Sequence, residues 1–219
     1  MTFVFTRNTI RLVDEESINA FGIPSIHLME NAAKGIRDTA CAHRPNSVLI
    51  VCGAGNNGGD GYAAARLLAD MHIEVKVISI EEPKMQDASI NCLRANQQGI
   101  DTSVWDMATL PPCDLIIDGI FGTGLTREVA GKHKVLIEAI NSHQSHVISI
   151  DIPSGLDCDF GTPLGTAIQA DQTVSLIGLK AGFLNEKAKQ YTGEITVIDI
   201  GCPRKLIEKY GILQNEYDA

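Results

Sequence analysis

No apolar run in the sequence approaches the roughly 20 residues that a bilayer-spanning helix needs, so no membrane segment is expected. The opening "MTFVFTRNTIRLVDEE" lacks a charged stretch followed by a long apolar one, and no secretory signal is read there. Basic charge is in deficit: 18 Lys and Arg stand against 27 Asp and Glu, a formal net charge of −9. Non-specific nucleic-acid binding needs clustered cations to displace counterions, so it is disfavoured. None of the six cysteines (Cys41, Cys52, Cys92, Cys113, Cys158, Cys202) belongs to a CxxC pair. Scattered reduced thiols of a cytoplasmic protein are expected, with no disulfide or zinc framework. His143 and His146 in "NSHQSH" have no third ligand nearby and read as a polar turn. Repeats, low-complexity tracts and long linkers are also absent, and residues 1–219 read as a single domain.

What is present is an alternating α/β pattern. "VDEESINAFGIPSIHLMENAAKGIRDTACAH" reads as a short helix, a Gly-Ile-Pro break and a longer helix capped by Ser25. Ile26, Met29, Ala33, Ile36 and Ala40 form an apolar stripe on that second helix. It suits a core face, and the helical pair could also serve as a subunit contact. Strands are expected at Val48–Cys52, Glu74–Ile80, Thr102–Trp105, Asp114–Asp118, Val147–Asp151, Thr173–Leu176 and Ile195–Ile200. Helices should fill Gly61–His72, Met85–Gln98 and about Lys132–Ser142. Continuous hydrophobicity in "VLIVC", "LIID" and "VISID" suits strands buried on both faces. The expected fold is a doubly wound, mostly parallel sheet with helices on both faces and an N-terminal helical pair.

Open α/β sheets bind ligands beyond the carboxyl ends of their strands. Three apolar strands here end in Gly-, Asp-, Asn- and Ser-rich loops: "GAGNNGGDG", "DGIFGTGLTREVAG" and "DIPSGLDCDFG". In the first, GxGxxG alone is weak evidence for a dinucleotide, and "NNGGD" delays the expected helix start to about Asp60. Asp60 reads as an N-cap, leaving the amides of Gly58 and Gly59 for an anion. The second loop offers amides at Gly122, Thr123 and Gly124, hydroxyls on Thr123 and Thr126, and the charge of Arg127, which taken singly reads as a surface cation. Asp118 and Asp151 end buried strands, where a carboxylate is costly without a partner. Asn57, Asp118 and Ser154 supply oxygens from three loops, a weakly charged set suited to a monovalent cation.

These three motifs, in order, resemble those of the NAD(P)H-hydrate epimerase family, also called the YjeF N-terminal domain. The prelude "DEESINAFGIPSIHLMENAA" and the tail "TVSLIGLKAGFLNEKAKQYTGEITVIDIG" are similar too, so the likeness spans roughly Asp14 to Gly201. It implies a Rossmann-like fold and a metabolite-repair isomerase. Such an enzyme interconverts the S and R epimers at C6 of hydrated NADH or NADPH, so that a partner dehydratase can use both. The resemblance places substrate at Asn56, Asn57, Gly58, Gly59 and Asp60, at Gly122, Thr123, Gly124, Leu125, Thr126, Arg127 and Glu128, and at Asp151. It places one potassium ion per subunit at Asn57, Asp118 and Ser154, and suggests a homodimer.

The hydrogen at C6 of the hydrated ring is not acidic. Expulsion of the hydroxyl by the ring nitrogen, followed by return of water to either face, is the expected route. That route needs a general acid, a base and nearby negative charge. Asp118 is the carboxylate that the resemblance suggests. Lys84 in "ISIEEPKMQ" is the nearest match to a lysine implicated in some members, but the local motif matches poorly and a solvated surface position suits it better. No dehydratase signature follows, so that activity is not expected of this chain. The competing readings are a non-catalytic binding or scaffold module on the same fold and an ordinary nicotinamide dehydrogenase. The second lacks a Tyr-x-x-x-Lys pair.

Overall fold

The continuous apolar runs become strands because a strand covered by helices on both faces has no side turned to water. The structure, a computed structural model, describes residues 2–217. The chain begins with β1 (Phe3–Phe5), α1 (Arg7–Asn19) and α2 (Ser25–Ala42). It then alternates β2 (Ser47–Cys52), α3 (Asn56–Ala69), β3 (Glu74–Ser79), α4 (Gln86–Gln97), β4 (Asp101–Val104), β5 (Leu115–Gly119), α5 (Gly131–Asn141), β6 (His146–Ile150) and β7 (Gln172–Leu176). It closes with β8 (Leu179–Lys180), the single turn α6 (Lys189–Thr192), β9 (Glu194–Ile198), α7 (Arg204–Tyr210), β10 (Ile212–Leu213) and α8 (Gln214–Tyr217).

Among these residues, seven strands form one sheet in the order β4-β3-β2-β5-β6-β7-β9. All its pairings are parallel. Strand order reverses between β2 and β5, which pair Val51 with Asp118 and Cys52 with Gly119. The loops leaving these two strands therefore open side by side, and the crevice between them is where such a sheet takes its ligand. Side chains alternate across the sheet. Ile50, Ile117 and Ile148 pack with Ala33, Ile36 and Ala64 on one face. Leu49, Val51 and Ile116 pack with Leu136, Ile137 and Ile140 on the other. Within the stripe on α2, Met29, Ala33, Ile36 and Ala40 are buried and Ile26 packs against the same cluster, so that stripe is core.

Four expectations change. α3 begins at Asn56, with Gly55 in the cap position, so Asp60 lies within the helix and caps nothing. The glycines here serve close approach instead of a turn. A Cβ on Gly58 would sit 2.0 Å from the Gly53 carbonyl oxygen, and one on Gly59 would sit 2.6 Å from Met29 Cε. Ser25 is the first residue of α2 and makes no capping bond; Pro24, whose fixed φ suits a helix entry, holds the cap position. α1 starts at Arg7, earlier than the stretch from Val13 read as a short helix, and is closed by a Thr6–Thr9 capping box. A second, three-stranded sheet, β10-β1-β8, is made of segments too short to show a period.

No described helix is long and apolar enough to cross a membrane. The six cysteines are free thiols.

Candidate active site

A cavity of about 700 Å³ opens at the crevice between the ends of β2 and β5. That volume is ordinary for a small-ligand site. One wall is the start of α3. Its first bond to the preceding loop runs from the Gly59 amide to the Gly55 carbonyl (3.1 Å). The amide of Gly59 is thus engaged, and those of Asn56, Asn57 and Gly58 are the helix's unpaired first-turn donors, aligned with the positive end of its dipole. Asn56 and Asn57 line the cavity directly, whereas Gly58 and Gly59 pack behind it.

The opposite wall is the loop after β5, with Gly122, Thr123, Gly124, Leu125, Thr126 and Arg127 all at the cavity. Glu128 is exposed and sits over Gly165 outside that lining. The loop is held from afar. Arg7 at the start of α1 donates from Nε to the Thr123 carbonyl (2.9 Å) and from a terminal nitrogen to Asp157 Oδ2 (2.7 Å). Glu81, Lys84 and His133 form the rim. Lys84 pairs with Glu81 and its side chain is 70% exposed, the geometry of a solvated pair worth little energy. Burial holds the His133 imidazole below its ordinary pKa.

Asp118 lies beneath this floor and is wholly buried. Its Oδ1 accepts from Ser154 Oγ (2.5 Å) and the Ile120 amide (3.1 Å); its Oδ2 accepts from Ser149 Oγ (2.8 Å) and the Ser154 amide (2.9 Å). All four lone-pair directions are occupied, so the carboxylate ties β5 to the loop after β6 instead of facing the cavity. Burial raises its pKa, and the Ser154, Ile120 and Ser149 bonds work against the rise. Ser154 Oγ also accepts from the Phe121 amide (2.8 Å) and lies 3.2 Å from the Phe121 carbonyl oxygen. Asn57, 7% exposed, presents a side-chain nitrogen with no partner among the described residues.

Besides Glu81 at the rim, the acidic groups that reach the cavity are Asp14, Asp60 and Asp151. Asp60 is 7% exposed and makes no side-chain hydrogen bond among the described residues. Burial, then Asp151 and Asp14, push its pKa well above the carboxylate range. Asp151 follows β6 in a left-handed conformation (φ 66°), strained for a residue with a Cβ. Its Oδ1 lies 2.5 Å from Nζ of Lys180, which is itself wholly buried and donates to the Leu176 carbonyl (2.9 Å) and Ser175 Oγ (3.1 Å). Asp14, from α1, is pushed up to about 7 by burial and by Asp151, with Lys180 pulling the other way. Sequence reasoning missed both Asp14 and Lys180. The cation in the otherwise apolar "LIGLKAGF" was a usable signal, since a lysine there demands a buried anion. Asp14 offered none, being one of three consecutive acids on a helix read as packing.

A parallel sheet with two amide-rich loops at its switch point is the architecture of a dinucleotide-binding α/β protein. The chain belongs to the family described as YjeF-related protein N-terminus, whose model matches residues 25–182. Among similar proteins, an NAD(P)H-hydrate epimerase of Pirellula staleyi is 36% identical over 94% of this chain and 96% of its own length. A protein of Limosilactobacillus fermentum with the same name is 36% identical over 89% of this chain and 95% of its own. A bifunctional NAD(P)H-hydrate repair enzyme of Thermofilum pendens is 39% identical over 91% of this chain, which spans 40% of that longer protein. A yeast protein solved by crystallography shares the fold, with a TM-score of 0.81 at 22% identity over 95% of this chain and 93% of that one.

Proposed function

We propose that this protein is an NAD(P)H-hydrate epimerase, an isomerase that interconverts the two C6 epimers of hydrated NADH and NADPH. The observation that carries the reading is the polarity of the cavity. Unpaired amides of α3 and of the Gly122–Gly124 loop stand at its walls, and Asp14, Asp60 and Asp151 stand at its floor, in one enclosure of dinucleotide-ligand scale. The near-full-length likeness to epimerases supports it.

In this reading the diphosphate lies against the amides of Asn56, Asn57 and Gly122–Gly124, with the Arg127 charge beside it. The hydrated ring is turned toward the acids. Loss of hydroxyl leaves a positively charged, flat ring, and fixed carboxylates stabilise that charge without having to reorganise. Asp118 acts one layer down, fixing both loops through its four hydrogen bonds. Asn57 and Ser154 suit a monovalent cation in donor chemistry, and Asp118 would join them only by exchanging one of its four hydrogen bonds for the ion. The three are oxygen ligands with a single formal charge, the Phe121 carbonyl is adjacent, and the unpartnered Asn57 amide presents an oxygen when turned over. Held there, a potassium ion would supply positive charge beside the diphosphate. Lys84, solvated and paired with Glu81, is assigned to the rim.

The reading extends to a dehydratase that consumes the product, to a reducing cytoplasmic setting for the six free thiols, and to a homodimer through the outward Leu12 and Ile18 of α1 and Phe21 of the turn after it, which are 38%, 36% and 47% exposed. The test is direct. Hydrated NADH enriched in one epimer is mixed with the protein in potassium buffer and the two epimers are followed by chromatography. Collapse to the equilibrium ratio is expected, and peak ratios unchanged from the protein-free control at high protein concentration refute the assignment.

A further inference from the structure

Resting on that reading, we propose that Asp14, on a helix outside the parallel sheet, is the group that gives a proton to the C6 hydroxyl of the hydrated ring and takes one back. The geometry narrows the choice. Asp118 has every oxygen lone pair engaged and lies off the cavity. Asp151 is committed to Lys180 at 2.5 Å. Asp14 and Asp60 line the same cavity without a side-chain hydrogen bond among the described residues. Both are therefore available to a ligand, and a ligand hydroxyl is the partner they lack. Of the two, Asp60 is the more deeply buried, and burial with Asp151 pushes its pKa further from the ordinary carboxylate value, whereas Asp14 is only partly buried and keeps a path to solvent. Asp14 is the one whose proton can move near neutrality.

Its charged surroundings come from every side. Asp151 beyond β6 and Glu15 on its own helix disfavour ionisation, Lys180 on β8 favours it, and Asp60 on α3 and Cys202 are electrostatically coupled to it. Burial with Asp151 outweighs Lys180, and the carboxyl comes to rest at about 7. A general acid is most effective when its pKa lies near the working pH. In the forward step the Asp14 carboxyl donates its proton to the hydroxyl oxygen. The C6–O bond breaks with its electron pair on that oxygen, the N1 lone pair forms the C=N⁺ bond, and water departs. In the return step water adds to the opposite face of C6, the C=N⁺ pair returns to N1, and the proton released by the added water restores the Asp14 carboxyl by relay through water around the ring. No other reactant is needed, and the protein ends as it began.

The experiment measures epimerisation of hydrated NADH by wild type and by Asp14→Asn, each net of the protein-free rate, from about pH 5.5 to 8.5. The expected result is a kcat lower by about 100-fold or more in the variant with KM within about threefold. The wild-type rate should fall as pH rises through about 7, and the variant's residual rate should lack that limb. If wild type equilibrates the epimers and the variant stays within about threefold in kcat, the inference is overturned while the epimerase reading stands. If wild type itself does not equilibrate them, that reading falls and takes the inference with it. Should Asp14→Asn not fold, Asp14→Ser and the wild-type pH profile decide, and a flat profile overturns the proposal.

Discussion

Replacing Asp14 by Asn should make the protein more stable at pH 8 and leave it unchanged near pH 4. The folded carboxyl titrates at about 7 against a reference of 3.8, so between those values the native state holds a proton that the unfolded chain has lost. Stability must then fall as pH rises through this window, the loss being complete above pH 7. Three units at about 1.4 kcal/mol each set the cost of ionised Asp14 at about 4 kcal/mol. Asn is the same shape, carries no charge and sacrifices no hydrogen bond, because Asp14 makes none among the described residues. The variant escapes the cost. For a chain of this length it should melt about 10 °C higher at pH 8, with the gap closing toward pH 4. Paired thermal melts or urea titrations across that range read the difference directly, since other acid-labile groups cancel between the two proteins. Parallel stability curves would show that Asp14 ionises as it does in water, and the electrostatic argument for the cavity floor would be wrong.

Three further perturbations probe the same architecture. Asp118→Asn turns an amide nitrogen toward the fixed Ser154 amide or, flipped, toward the fixed Ile120 amide, stranding at least one buried donor. Urea unfolding should show a loss of about 2–4 kcal/mol, and a loss under about 0.5 would deny Asp118 its organising place. Lys180→Met leaves Asp151 as an uncompensated charge and should cost about 3–5 kcal/mol, much of it recovered in the Asp151→Asn, Lys180→Met double variant. Failure of the second change to rescue the first would break the assigned pairing. Arg7→Ala frees the Thr123 carbonyl and unpairs Asp157; substrate KM should rise about tenfold, with kcat changed much less, and an unchanged KM would mean that the loop needs no tether.

The parts of this fold that could be read in the sequence share one property: their signal is local. "VLIVC", "LIID" and "VISID" announce buried parallel strands, and each is followed by a loop whose composition marks the ligand edge. The start of α3 was misread for an equally physical reason. Two consecutive glycines ordinarily signal a turn, and the alternative, that α3 must press against the Gly53 carbonyl and Met29, exists only once β2 and α2 are in place. Asp118 was found and its surroundings were not. A strand-ending aspartate shows that a partner is needed, but the two serines that satisfy it lie 31 and 36 residues away, and nothing in their spacing says that they close every lone pair. Asp14 illustrates the limit most sharply. Its chemistry depends on Asp151 and Lys180, which approach it only after the whole sheet has been laid down.

That dependence gives α1 a place in the site. A doubly wound sheet on its own leaves the crevice at its switch point open to water, where a carboxylate keeps its ordinary pKa and exerts little field. α1 closes that side with two residues about two helical turns apart. Arg7 reaches outward to hold the amide-rich loop at Thr123, and Asp14 reaches inward to the acids of the floor. The helix therefore joins the cavity's anion-binding wall to its cation-stabilising floor. In the proposed reaction these are the two ends of one substrate, a diphosphate and a ring that becomes positively charged. A ligand entering the wrong way round would set phosphate against three carboxylates, so the same field that stabilises the charged ring also decides which way the substrate lies.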